Sequence, residues 1–159
     1  MKARQTGFSL IELLVVVAII LIIAAIAIPN FLRAKISANE SSAVSSVHAV
    51  DTAEIAYSTT YSTIGFSVSL ADLGTGGTNP CAATATASCF LDPVLASGTK
   101  SGYNFTYAQD GATTPALGYT INADPQIFSV TGGKGFYSDQ SNIIRYSTTG
   151  AANSASPSI

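Results

Sequence analysis

Gly7-Phe8-Ser9-Leu10-Ile11-Glu12-Leu13-Leu14-Val15-Val16-Val17-Ala18-Ile19-Ile20-Leu21-Ile22-Ile23-Ala24-Ala25-Ile26-Ala27-Ile28-Pro29 is the stretch on which the reading of this chain turns. Residues 8 to 28 give roughly 30 Å of helix at about 1.5 Å per residue, enough to span the hydrocarbon core of a bilayer. The run is apolar on every face, so lipid or other helices must surround it. Glu12 is its one charge. An acid in such a helix costs about 2.5–3.5 kcal/mol on the insertion scale unless a partner neutralises it. A membrane anchor needs no such residue, and a cleaved export signal is normally uncharged there. The acid becomes useful when it waits for a positive charge on another molecule.

The flanks of the run are equally specific. A short basic leader, with Lys2 and Arg4, ends in Gly7, and Pro29 closes the apolar stretch. The tract resembles the N-terminus of type IV pilins and of their relatives, the pseudopilins of type II secretion. The resemblance implies that prepilin peptidase cuts between Gly7 and Phe8 and that Phe8, the new first residue, is N-methylated. It places Glu12 on the family's near-invariant acid and Pro29 on the proline that ends its hydrophobic stretch. It covers roughly the first fifth of the chain. Gly135 to Tyr146, GFYSDQSNIIRY, resembles more loosely the ending of a subset of bacterial type IV pilins.

Two blander readings compete for the same tract. An ordinary secretory signal has a basic start, an apolar core and a small-x-small cleavage site. Lys2, Arg4 and Ala25-Ile26-Ala27 meet those requirements, and cleavage there would release a soluble chain starting at Ile28. Glu12 would then lie inside the apolar core, which is also longer than such cores usually run. A plain membrane anchor leaves Glu12 unexplained.

Composition agrees with an exported surface protein. The chain has 159 residues, room for one modest domain beside a long helix. Seven basic and nine acidic residues give a net charge of −2, and loss of Lys2 and Arg4 would leave the remainder more acidic. No basic patch survives to hold nucleic acid through its phosphates. Two cysteines, Cys81 and Cys89, fit one disulfide in an oxidising compartment. Best-known pilins usually close a loop at the C-terminal end, whereas this pair precedes the expected sheet.

The chain divides into a leader (1–7), an apolar transmembrane or filament-core helix (8–28), an amphipathic continuation (29–60), an irregular loop with the cysteine pair (61–100), a sheet (101–147) and a flexible tail (148–159). Pro29 removes a backbone donor and should kink or locally open the helix around Ala25–Ile28. In the continuation, Ile36, Ala43, Val47, Val50, Tyr57 and Tyr61 fall on one stripe at helical spacing. Glu54 lies on that stripe, so either the buried face is imperfect or the carboxylate is paired. Arg33 and Lys35 suit a membrane interface, and the leader end belongs in the cytoplasm by the positive-inside rule. Gly74-Thr75-Gly76-Gly77 and Asn79-Pro80 are turn signals; Ala71–Leu73 and Pro93–Leu95 are at most short helical turns. Tyr103, Phe105 and Tyr107 alternate as one face of a strand, and Leu117, Tyr119 and Ile121 as another. Phe136–Ser138 and Ile143–Ser147 read as two more, with Ile127, Phe128 and Val130 extending the second strand or forming an edge. The expected fold is α+β: a long N-terminal helix packed on a small antiparallel sheet of about four strands, the pilin fold that the resemblance also implies.

Catalytic signals are weak. His48 stands alone on a helix and reads as solvated. Gly65-Phe66-Ser67-Val68-Ser69 breaks the nucleophile elbow at its last position. Gly132-Gly133-Lys134-Gly135 lacks the first glycine of a phosphate loop and reads as a turn. Asp110, Asp124 and Asp139 raise the calcium site known in major pseudopilins, but they sit singly beside turns without EF-hand spacing. The expectation is a structural subunit, most simply the major one, of a type IV pilus filament, with no enzyme activity, cofactor, metal or nucleic-acid partner. Its partners would be copies of itself, prepilin peptidase and an inner-membrane assembly platform. It would sit in the inner membrane as a single-pass precursor, then in an extracellular pilus or a periplasmic pseudopilus. The alternatives are a type II secretion pseudopilin and, from another class, a soluble periplasmic binding protein.

Overall fold

The computed structural model describes residues 7–77, 80–111 and 113–159. The leader residues with Lys2 and Arg4, and Asn79 of the Asn79-Pro80 turn signal, lie outside the described residues. Helix α1 runs from Leu10 to Thr60, and the chain separates into two compact units, residues 1–35 and 36–159. In the first unit the large apolar side chains from Leu10 to Leu32 are exposed. The helical assignment runs on through Ala25–Ile28 and Pro29, whose ring nitrogen has no proton to donate within the helix.

The second unit carries the core. A five-stranded antiparallel sheet has strand order β1-β2-β3-β4-β5, with β1 Thr99–Lys100, β2 Tyr103–Gln109, β3 Tyr119–Pro125, β4 Gly135–Asp139 and β5 Arg145–Ser147. Four of these strands match the expected ones; the fifth is the two-residue β1. Phe105 pairs with Ala123, Tyr107 with Ile121, and Ala123 with Phe136, which aligns the apolar positions of three strands on one face. That face and the expected stripe of α1 enclose a single cluster holding Ala43, Val47, Val50, Tyr57, Tyr103, Phe105, Tyr119, Ile121 and Phe136, with Tyr61 packed against it. Ile36 is only half-buried.

Three expectations need correction. Leu117 lies ahead of β3 and is exposed, and Ala123 takes the third inward place on that strand. Ile127, Phe128 and Val130 form no strand: Pro125 ends β3, and the chain then turns tightly, with the Val130 and Thr131 amides donating to the Ile127 carbonyl. Asp124 lies within β3 rather than beside a turn. The C-terminal segment makes backbone contacts at its end. Tyr146 donates to the Pro157 carbonyl and Ile159 to that of Ile144, so residues 157–159 pair along the free edge of β5. Asn122, on the sheet's other face, donates to the carbonyl of the buried Ala152.

Between helix and sheet, the 3-10 turn Leu70–Leu73 and the short helix α2, Pro93–Ala96, bring Leu70, Leu73, Leu91 and Leu95 into the core. Asp92 caps α2 by accepting from the Val94 amide at 2.8 Å.

Two acids lie inside this core. Glu54 is fully buried and accepts from the Ser67 amide at 3.0 Å and from the Ser67 hydroxyl. Asp51, one turn earlier, accepts from the Tyr119 hydroxyl at 2.9 Å and the Ser138 hydroxyl at 2.8 Å. Glu54 therefore resolves as a paired carboxylate rather than a flaw in the stripe. Burial holds both acids above the usual carboxylate range, and the hydroxyl donors only partly offset it. An acid raised in the folded state contributes its full stability below about pH 4 and loses it as pH rises through the folded value. The melting temperature of unit two, followed by tyrosine near-UV circular dichroism in detergent, should therefore fall as pH rises above that point. Glu54→Gln keeps one acceptor for the Ser67 amide and should flatten the fall. An unchanged slope in Glu54→Gln and in Asp51→Asn would show that these acids do not set it.

Candidate functional site

The residues singled out at the N-terminus occupy the start of α1. Gly7, Phe8 and Ser9 precede the helix, and Phe8 is 86% exposed. Ser9 takes the N-cap position, its carbonyl accepting from the Leu13 amide at 3.3 Å. The Glu12 carboxylate reaches back to the Ser9 amide at 3.0 Å. This is the returning half of a capping box, in which the acid at the third helical position satisfies the amide of the cap residue. The acid also suits the positive end of the helix dipole. Ser9-Leu10-Ile11-Glu12 spells the S-x-x-E signal of this cap in the sequence itself.

The capping bond uses one of the lone pairs of a carboxylate that can accept several hydrogen bonds. No ion pair involves Glu12 among the described residues; those formed there include Lys100–Asp92 at 2.9 Å and Lys134–Glu40 at 3.5 Å. Glu12 is thus held in one orientation without a counter-charge. Its neighbours Leu13, Leu14, Val15 and Val16 are exposed apolar side chains, so the site combines a directed anion with a surface that water does not favour.

The cysteine pair sits in unit two. Cys81 and Cys89 are joined by a disulfide that closes a loop eight residues in separation. Three sets of contacts tie this loop down. Thr84 and Ala87 exchange amide bonds, the Tyr57 hydroxyl of α1 donates to the Ala85 carbonyl at 2.7 Å, and the Cys89 amide donates to the Gly74 carbonyl. Cys89 itself sits at φ 63°, a left-handed conformation that a side chain rarely adopts without such support.

The other candidates fall elsewhere in the second unit. His48 is exposed on α1. The Ser67 amide donates to the Glu54 carboxylate at 3.0 Å. Gly132 and Gly133 belong to the turn between β3 and β4, where a side chain at Gly132 would collide with the Tyr103 ring. No group of acids, histidines and cysteines able to hold a metal ion occurs among the described residues.

Residues 2–28 match the family model for the prokaryotic N-terminal methylation motif. The chain is 51% identical over 51 residues to the type IV major pilin protein PilA of Myxococcus xanthus (strain DK1622). That alignment takes in 32% of this chain and 23% of the relative, so the likeness spans about a quarter of the curated protein's length. No solved structure matches the chain significantly. The motif and the identity support a type IV pilin, and a long N-terminal helix packed on an antiparallel sheet is the fold expected of one.

The disulfide gives a direct test of how the loop region is held. Replacing both cysteines, Cys81→Ser with Cys89→Ser, should lower the stability of unit two by about 2–3 kcal/mol on the chain-entropy account. Denaturant titration of the two proteins side by side checks this, and a loss below about 0.5 kcal/mol would mean that the hydrogen bonds hold the loop unaided.

Proposed function

We propose that this chain is the major structural subunit of a type IV pilus filament, cut between Gly7 and Phe8 by prepilin peptidase, N-methylated at Phe8 and polymerised through α1. The observation that carries the reading is the unshielded apolar run with one oriented acid, Glu12, inside a methylation motif. Its role is assembly, not catalysis. The precursor would sit in the inner membrane with its leader in the cytoplasm, where residues 8 to 28 cross the bilayer. Cutting after Gly7 exposes the Phe8 amine, a cation at neutral pH even when singly methylated. As α1 leaves lipid for a filament core, that amine pairs with Glu12 of a neighbouring copy. Both charges then lie in a low-dielectric bundle, so a wrong axial offset leaves them unpaired and is rejected. The capping bond to Ser9 supplies the alternative account of Glu12, a purely local one. Pilus rather than pseudopilus is favoured by the relative, itself a major pilin.

N-terminal mass spectrometry of the mature protein should read N-methyl-Phe8; a start at Ile28 would sink the reading. Glu12→Ala should leave insertion and cleavage intact and sharply reduce filament yield. Glu12→Gln decides between the two accounts, because its carbonyl can still accept from the Ser9 amide. Charge pairing predicts that Glu12→Gln also assembles poorly; helix capping alone predicts near-normal filaments. Shearing and immunoblotting measure both.

A further inference from the structure

Residues 148–159 form a strap on the sheet's other face, and its backbone supplies most of the contacts. Asn122 and Arg145 donate to the carbonyls of Ala152 and Ser156 at 2.7 Å and 2.9 Å, and the Tyr146 amide donates to that of Pro157. The strap itself carries no charged side chain.

Asp124 meets this strap. The alternation of β3 that sets Asn122 on the outer face sets Asp124 there as well. Its Oδ1 is buried, and no donor among the described residues reaches it. A Cβ on Gly135 of β4 would stand 2.7 Å from that oxygen and 2.7 Å from the Gly150 carbonyl oxygen. One oxygen of the sheet and one of the strap thus converge on a space that a glycine leaves open. Two acceptors cannot satisfy each other, but a proton on the carboxyl makes it a donor. An ionised oxygen buried without a donor is far more costly than that proton.

The surroundings favour the protonated form. Burial holds Asp124 above the usual carboxylate range, and no charged group contributes. Its partner across β2 is the neutral Asn104. Tyr137 of β4 has a hydroxyl that burial keeps protonated, and Asp139, at the end of that strand, accepts from the Ser141 amide. The Lys134 ammonium is turned to Glu40 and the Tyr146 ring, Arg145 of β5 to the Ser156 carbonyl, and the Tyr103 hydroxyl to the Lys134 carbonyl.

We propose that the protonated Asp124 carboxyl donates to the Gly150 carbonyl and latches the strap onto the sheet, and that loss of this proton to solvent releases the strap and uncovers the edge of β5. An acid raised in the latched state gives its full contribution below about pH 4 and loses it as pH rises through the latched value. The full chain, carbon-13 labelled at aspartate and held in detergent micelles, gives both readouts by NMR. The Asp124 carboxyl signal is assigned by its loss in Asp124→Asn, and hydrogen-exchange protection factors are followed at Tyr146, which pairs with the strap, and at Phe105 in β2 as a core reference. Asp124 should titrate above the usual carboxylate range. Tyr146 protection should fall by up to about tenfold per pH unit from about pH 4 and level off once Asp124 is ionised, while Phe105 falls less. Asp124→Asn keeps a donor for the Gly150 carbonyl at every pH and should hold Tyr146 protection flat relative to Phe105. Asp124 titrating at or below its ordinary value overturns the latch, a result that the unmodified chain gives by itself. An equal fall at Tyr146 and Phe105 also overturns it, because the whole unit then loosens together, and so does an unchanged Tyr146 profile in Asp124→Asn.

Discussion

A carboxylate in apolar surroundings must find donors, and helix α1 meets that requirement differently at its two ends. Near its C-terminal end, Asp51 and Glu54 face the core and are answered by Tyr119, Ser138 and Ser67. These donors come from β3, from β4 and from the loop after the helix, so the acids fix how the helix is rotated against three separate parts of the unit. Turning the helix by one residue, about 100°, would strip both acids of their partners. Aliphatic contacts alone are more forgiving, since Val47 and Val50 would find apolar neighbours over a range of rotations. At the other end, Glu12 has a single local donor, the Ser9 amide, and no core to face. One helix therefore carries a satisfied anionic pair and an incompletely used anion.

The sheet complements this division by closing off its own growth. Residues 157–159 pair along β5, and β1 is only two residues long, so neither edge offers a long unpaired ladder to another chain. The aromatic face of β2, β3 and β4 is filled by the stripe of α1. Polymerisation by strand addition thus has no template of useful length, and among the described residues the large surface left without protein cover is the apolar run of α1. The unit with the sheet covers its own apolar face, and the run of α1 leaves its apolar side chains exposed.

Periodicity carried most of this into the sequence. The α1 stripe and the Tyr103-Phe105-Tyr107 alternation are long, regular patterns, and each appears in the core at the expected positions. What escaped depends on contacts distant in the chain or on single turns. Asp51 stands beside Val50 as an ordinary polar neighbour until Tyr119 and Ser138, some seventy and more residues away, turn out to face it. The tail from Thr148 onward has the Ser, Ala and Gly content of a loose end, yet backbone pairing is indifferent to side-chain type and joins residues 157–159 to the edge of β5. Ile127, Phe128 and Val130 mimic a strand because β-branched and aromatic residues favour one. Pro125 and the Gly132-Gly133 pair bound them and impose a turn instead. At the N-terminus the reverse holds: Ser9 and Glu12 spell their local hydrogen bond outright.

The proposed pairing, set beside the capping bond, bears on why a charge, rather than any polar group, stands at position 12. A helix apolar on every face has no preferred register against its neighbours, because sliding it exchanges one aliphatic contact for another at little cost. A neutral hydrogen-bonding side chain could cap the helix equally well, yet it would penalise a wrong offset only by one unmade bond, on the order of 1–3 kcal/mol. A buried, unpaired ion costs about 3–5 kcal/mol when its partner is missing. Under the proposed assembly, this difference separates a bundle that tolerates several axial offsets from one that selects a single offset at every subunit. The cap then does the preparatory work: by holding the Glu12 carboxylate at the end of the helix, it presents the anion in a fixed place before any partner arrives, so less freedom is lost when the pair forms.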